Sequence, residues 1–299
     1  MPAPPQTTRI MKHWIYPTVW LLAALLLAAC DGQNSRQAQP DNDSTAQPMA
    51  AGLFSSETQR DTRGTGNDAS LSAIVPARRS DLPEQRLQRM AYVNSFNTKT
   101  LQPNWVAWRL TREHTKGNLK RDRVKFMEDE DVAQAYRVTT FDYNRSGYDR
   151  GHMCPAGDNK WNSKALNQCF LMTNICPQGH QLNAGDWNDL EIQCRGWARR
   201  YGEIYIICGP IFRGSGQRKI GRKARRVTVP DAFFKVVVCL KGQPKGIGFI
   251  YENEDGHRPM SHYVSSIDDV ERITGYDFLA GLPDQTERAL ERSSDLKAW

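Results

Sequence analysis

The chain has 299 residues with a formal charge of +7 and a mean hydropathy of −0.64. That length fits one large domain or two small ones. Its longest apolar run, near the N-terminus, has about fifteen residues, shorter than the roughly 20 a bilayer span needs, so a chain built of membrane-spanning helices is excluded.

That run lies between Ile15 and Ala29, follows Arg9 and Lys12, and ends at Leu27-Ala28-Ala29-Cys30. Basic, then apolar, then small residues read as an export signal over 1–29, and the last four resemble the box that precedes the lipidated cysteine of bacterial lipoproteins. An ordinary signal peptide is the rival reading, and Met11 is an alternative start. Cys30 is therefore expected to carry lipid and to anchor the chain to a membrane of the cell envelope, facing the periplasm or the cell surface.

Residues 30–74 are rich in Gln, Asn, Ser, Asp and Gly and poor in aromatics, a composition that cannot bury enough apolar surface to offset chain entropy. They are expected to form a flexible tether. The signal carries +2 and the tether −3, so +8 falls on residues 75–299, expected to be one domain. A basic domain on an acidic tether suggests a polyanionic partner. The six cysteines after Cys30 form an even set in an exported chain, which predicts at least one disulfide. A zinc site using Cys176 and His180 is the weaker alternative, since no Cys-x-x-Cys pair exists.

Within the domain, apolar and β-branched runs predict strands over Ala91–Phe96, Trp105–Leu110, Cys169–Ile175, Ile204–Phe212, Ala232–Leu240 and Ile247–Tyr251. Asn97-Thr98-Lys99-Thr100 would turn the first two into a hairpin. A 3.6-period stripe through Leu190, Cys194, Trp197 and Ala198 predicts a helix from near Asn183 to Gly202. Another should begin after Ser265 or Ser266 and end at Gly275. Strands outnumber helices without regular alternation, so the fold class is α+β, a mixed, mainly antiparallel sheet with packed helices.

Chemistry concentrates in Asp149-Arg150-Gly151-His152. An imidazole can take a proton from water near neutral pH, and a guanidinium pairs with phosphate oxygens in a planar fork. A tight turn with a surface ion pair is the bland alternative. Downstream stand Phe170 to Gln178, Leu182-Asn183-Ala184-Gly185-Asp186-Trp187 with Glu191, Gly209-Pro210-Ile211-Phe212 and Val229 to Lys235. Together, from about Ala91 to Leu282, these resemble the DNA/RNA non-specific endonuclease family, which includes endonuclease G.

The resemblance implies a ββα-metal active-site motif and endonucleolytic hydrolysis of DNA and RNA with little sequence preference. It implies His152 as general base, Arg150 as a catalytic and phosphate-binding residue, Asn183 as the single direct metal ligand, and Glu191 as a catalytic residue ordering the metal's waters. Mg²⁺ is the implied ion, with Mn²⁺ as a substitute. Asn174 falls in the active-site neighbourhood. A further phosphate-binding arginine is assigned to Arg123 over Arg121. On one straight helix Asn183 and Glu191 would stand about 12 Å apart along the axis, so both cannot bind one ion directly.

The basic run Arg218–Arg226 is read as a phosphate contact, and Trp161 as the indole placed to meet substrate. His114, His180, His257 and His262 are read as surface or capping residues. A homodimer is left open. The rival to a nuclease is a non-catalytic nucleic-acid-binding lipoprotein of the envelope.

Overall fold

The computed structural model describes residues 69–222 and 226–299. Cys30 and the signal lie outside the described residues, as does most of the expected tether. Its last six residues form helix α1 (Ala69–Ile74), whose Ile74 is fully buried against the domain.

The scaffold is a seven-stranded antiparallel sheet. Chain order runs β1 (Gln85–Gln88), β2 (Val93–Asn97), β3 (Gln102–Thr111), β4 (Asp149–His152), β5 (Ile175–Gln178), β6 (Glu203–Ile211), β7 (Lys219–Ile220), β8 (Val227–Thr228), β9 (Ala232–Cys239), β10 (Lys245–Glu252) and β11 (Val264–Ser265). The sheet order is β1-β2-β3-β6-β9-β10-β11, while β4 with β5 and β7 with β8 make separate antiparallel pairs. Asn97 makes the β2–β3 turn without glycine, because its Oδ1 accepts the amides of Lys99 and Thr100 at 2.8 and 3.2 Å.

Both faces of the central strands are covered, and side-chain alternation sorts them. Val106, Trp108, Ile206, Phe233 and Val237 meet helix α4 (Asp186–Tyr201) through its Leu190, Cys194 and Trp197. Trp105, Ile207, Phe234, Val236 and Val238 meet α1, α5 (Ile267–Thr274) and α6 (Asp284–Glu291). Truncating a fully buried side chain such as Leu190 to alanine should cost about 2–5 kcal/mol.

The expected α+β class and antiparallel sheet are borne out. Strands near 93–97, 102–111, 203–211, 232–239 and 245–252 fall where the apolar runs placed them. The α5 helix is capped by Ser266 and closed by left-handed Gly275, as its residues predict.

Three expectations are corrected. The strand over Cys169–Ile175 is absent: α2 (Ser163–Gln168) ends just before that stretch, a 3-10 turn (Met172–Asn174) occupies much of it, and only Ile175 belongs to a strand. The single helix from Asn183 is two, α3 (His180–Ala184) and α4, broken at Gly185 with φ −106° and ψ −106°. The predicted disulfide is not formed either. Cys154, Cys169, Cys176, Cys194, Cys208 and Cys239 are all free and buried. They serve as small core residues, and burial pushes the Cys194 and Cys208 thiols up to about 12, where they stay protonated.

Candidate active site

The β4–β5 pair and the α3–α4 helices that follow it form a ββα unit on the α4 side of the sheet. His152 ends β4, opposite Ile175. Just beyond it the backbone is clamped by Asn174, which is fully buried. The Asn174 Oδ1 accepts the Cys154 amide at 2.9 Å, and its Nδ2 donates to the carbonyls of Cys154 and Cys169 at 2.9 and 2.8 Å. The role of Asn174 is thus to hold the strand that carries the histidine. It also explains the missing strand, since its side chain takes the backbone partners a ladder would use.

The His152 ring meets Phe170 edge-on at 4.7 Å and Phe126 at 5.2 Å. Its Nε2 is buried without a hydrogen-bond partner among the described residues. Burial, and secondarily the charge of Arg121, push the imidazole down to about 3, so it is neutral at physiological pH. Arg150 lies two residues earlier on the strand, with its guanidinium 4.8 Å from the Phe126 ring centre. Arg121 lies 5.6 Å from that of Phe170. Two guanidiniums therefore rest on the aromatic pair that holds the imidazole. Gly151 between them is a steric requirement, because a Cβ there would come within 2.1 Å of Gln178 Oε1.

Asn183, on α3, donates from Nδ2 to Asp149 Oδ2 at 2.9 Å, at the start of the same strand. A carboxylate only accepts, so this bond turns the amide oxygen away from Asp149. His180 Nδ1 lies 2.9 Å from the same carboxylate oxygen. Glu191, on α4, is half-buried, and burial pushes its carboxyl up to about 7 against the pull of Lys235, Arg195 and Arg121. The charge of Arg121 bears on both His152 and Glu191.

The family model for DNA/RNA non-specific endonucleases matches residues 77–285. The chain belongs to this family. It is 31% identical to mitochondrial endonuclease G of Bos taurus over 225 residues, which is 72% of this chain and 73% of that protein. It is 35% identical to nuclease C1 of Cunninghamella echinulata var. echinulata over 205 residues, 64% of this chain and 81% of that one. The crystal structure of an EndoG/EndoGI complex superposes with a TM-score of 0.67 at 27% identity, covering 73% of this chain and 92% of that chain.

In this family member the arginine of that loop beside the histidine is Arg121, whose guanidinium lies over Phe170, and not Arg123, the residue singled out from sequence; both are exposed. Trp161 is not an open platform. It stacks on His114 at 4.3 Å, and its indole nitrogen is buried. In the basic run, Arg218 lies 5.3 Å from the Tyr148 ring centre and donates to the Ser146 carbonyl at 3.0 Å, next to the start of β4.

Sequence reading passed over the charges under the site. Lys235 is 1% exposed, with its ammonium 4.0 Å from the Trp187 ring centre. Asp158, also buried, accepts from Arg195 Nη1 at 2.9 Å and from the Trp108 indole at 3.0 Å. The available signal was a single lysine inside the apolar strand Ala-Phe-Phe-Lys-Val-Val-Val-Cys. Such a residue needs paired charges or aromatic faces around it.

Proposed function

We propose that the chain is a metal-dependent endonuclease that hydrolyses DNA and RNA through His152. The observation that carries this is a neutral imidazole in an aromatic cage with two guanidiniums against that cage. Because Nε2 is sealed in protein, Nδ1 is the nitrogen available to an attacking water, and it accepts that water's proton. Arg150 and Arg121 bind non-bridging phosphate oxygens and offset the charge that grows on them. Arg218 extends the contact along the backbone. Contacts to phosphate and not to base edges account for weak sequence preference.

The donor set fits a hydrated Mg²⁺, or Mn²⁺ in its place. The Asn183 amide oxygen, turned away from Asp149, is a neutral oxygen ligand, and the Glu191 carboxyl two turns on suits hydrogen bonding to bound water. When bound, such an ion supplies Lewis-acid stabilisation of charge on phosphate and leaving oxygen. Asp149 fixes the orientation of Asn183, and Glu191 orders water on that side of the site.

Supercoiled plasmid and RNA, each incubated with Mg²⁺ or with chelator, test the reading. Nicking, linearisation and RNA breakdown only with the divalent ion are expected. A protein that binds both nucleic acids and cuts neither would be the binding lipoprotein instead. We further propose that Cys30 is lipidated and anchors the enzyme to the envelope by several acyl chains, since one chain binds only marginally. An unmodified mature N-terminus by mass spectrometry would overturn this.

A further inference from the structure

A second carboxylate-rich locus lies on the opposite face of the sheet from His152, where α5 and α6 pack. Glu291, the last residue of α6, is only 7% exposed, and its Oε1 is buried without a hydrogen-bond partner among the described residues. Carboxylate oxygens of Asp268, Glu271 and Glu291 lie within 4.8 Å of one another, and so do those of Asp277, Glu287 and Glu291. Glu291 is common to both groups. Oxygens that bind one Ca²⁺ at 2.3–2.6 Å can be no more than about 5 Å apart, so each group has the spacing of a single-ion ligand set.

The locus has little internal compensation: Glu271 Oε1 accepts the Phe278 amide at 2.6 Å, while Glu291 Oε1 has no partner among the described residues. Nearby cations are engaged elsewhere: Arg272 with Asp269, Arg288 with Asp284, and Arg79 with Asp81 and the Thr274 carbonyl. Burial, reinforced by the neighbouring carboxylates, pushes both Glu271 and Glu291 up to about 7. The third group with similar spacing, Asp186, Asp189 and His257, is different. There Asp186 already accepts from Tyr263, from the Arg258 amide and from His257, so its oxygens are satisfied.

We propose that this locus binds one Ca²⁺, with Asp268 and Glu271 of α5 and Glu291 of α6 as its carboxylate ligands, tying α5 to α6, and with Asp277 and Glu287 adding negative charge on the other side of Glu291. Ca²⁺ takes six to eight oxygens in flexible geometry, including all-protein cages, whereas Mg²⁺ holds its waters and suits the sparse donors at Asn183. The site is separate from the nuclease centre and does not depend on the nuclease reading.

The test uses the full-length protein stripped with chelator, in an Asn183→Ala background so that the nuclease centre does not contribute. Equilibrium dialysis against radioactive Ca²⁺ should find one ion per chain. Thermal unfolding should move up by about 3 °C at a Ca²⁺ concentration ten times Kd. Adding Glu291→Gln or Glu271→Gln should abolish both effects, even where either change alters the metal-free Tm by relieving repulsion. Two independent variants guard against one that fails to fold. No bound Ca²⁺, or binding that survives both changes, would overturn the proposal.

Discussion

The two faces of the central sheet solve burial differently. On the α1, α5 and α6 side the strands contribute mainly apolar residues such as Trp105, Ile207, Phe234 and Val236, and their charges sit toward strand ends, as in the Arg109–Glu203 pair, or on the helices. On the α4 side the sheet itself contributes Lys235, fully buried between indoles, and the layer above adds Asp158, Arg195 and Glu191. Buried charge costs free energy unless paired, so a fold keeps it where it does work. That is the face on which β4 carries His152.

The largest expected effect tests whether chemistry resides on the α4 face. His152→Ala removes the proposed proton acceptor and leaves the arginines, so cleavage should fall by about 10²–10⁴-fold. Binding to DNA in chelator, and its salt dependence, should stay near parental values, because these count phosphate contacts. Parental cutting by this variant would end the assignment. Asn183→Ala should lose less at high metal concentration. Its defect is in holding the ion, so raising Mg²⁺ or Mn²⁺ should restore part of the rate, whereas His152→Ala should not respond. Rates titrated against metal for both variants separate the roles, and identical curves would merge them.

How much of this was legible in sequence follows from how local each signal is. Asp149-Arg150-Gly151-His152 is contiguous, and the strand it forms places cation and imidazole two residues apart without help from elsewhere. Sheet strands were legible because both faces are buried, which writes long apolar runs such as Ile204 to Ile211. Arg121 was not, since it sits in an irregular loop with no periodicity, and only Phe170, distant in sequence, shows which arginine lies against the site. The break at Gly185 escaped because the apolar stripe of α4 begins beyond it, at Trp187. Cysteine count misled for a related reason. Parity counts thiols, but pairing requires two sulfurs in bonding geometry, and all six of these are free in the core.

A smaller effect probes how tightly the α4 face holds its catalytic strand. Gly151→Ala would set a Cβ against the Gln178 side chain, which is fully buried opposite β4 and has little room to move. Overpacking of this kind typically costs about 1–3 kcal/mol, and the strain would also move His152. A lower urea midpoint with unchanged m-value, together with a reduced rate, is expected. Parental stability and activity would mean that Gln178 yields freely and that the strand is not held by this contact.

A pH dependence sets the two faces against each other. His152 is pushed from its ordinary 6.5 down to about 3, so between those values the unfolded chain takes a proton that the folded chain refuses. Its contribution is therefore full above pH 6.5 and is lost as pH falls toward 3. Glu271 and Glu291 are pushed from 4.5 up to about 7, so the folded chain keeps protons the unfolded chain has released. Their contribution is full below pH 4.5 and is lost as pH rises through 7. Glu191 has the same sign and forms a background common to both variants below. Urea midpoints in chelator from pH 4 to 8 should thus show His152→Ala flattening the loss on the acid side and Glu291→Gln flattening the loss on the neutral side. Because repulsion between carboxylates is mutual, Glu291→Gln should also relax part of Glu271's share, while solvent screening at the partly exposed Glu271 keeps the change small. A Glu291→Gln profile parallel to the parent's between pH 4.5 and 7 would show that the carboxylates of α5 and α6 do not repel one another as their spacing requires.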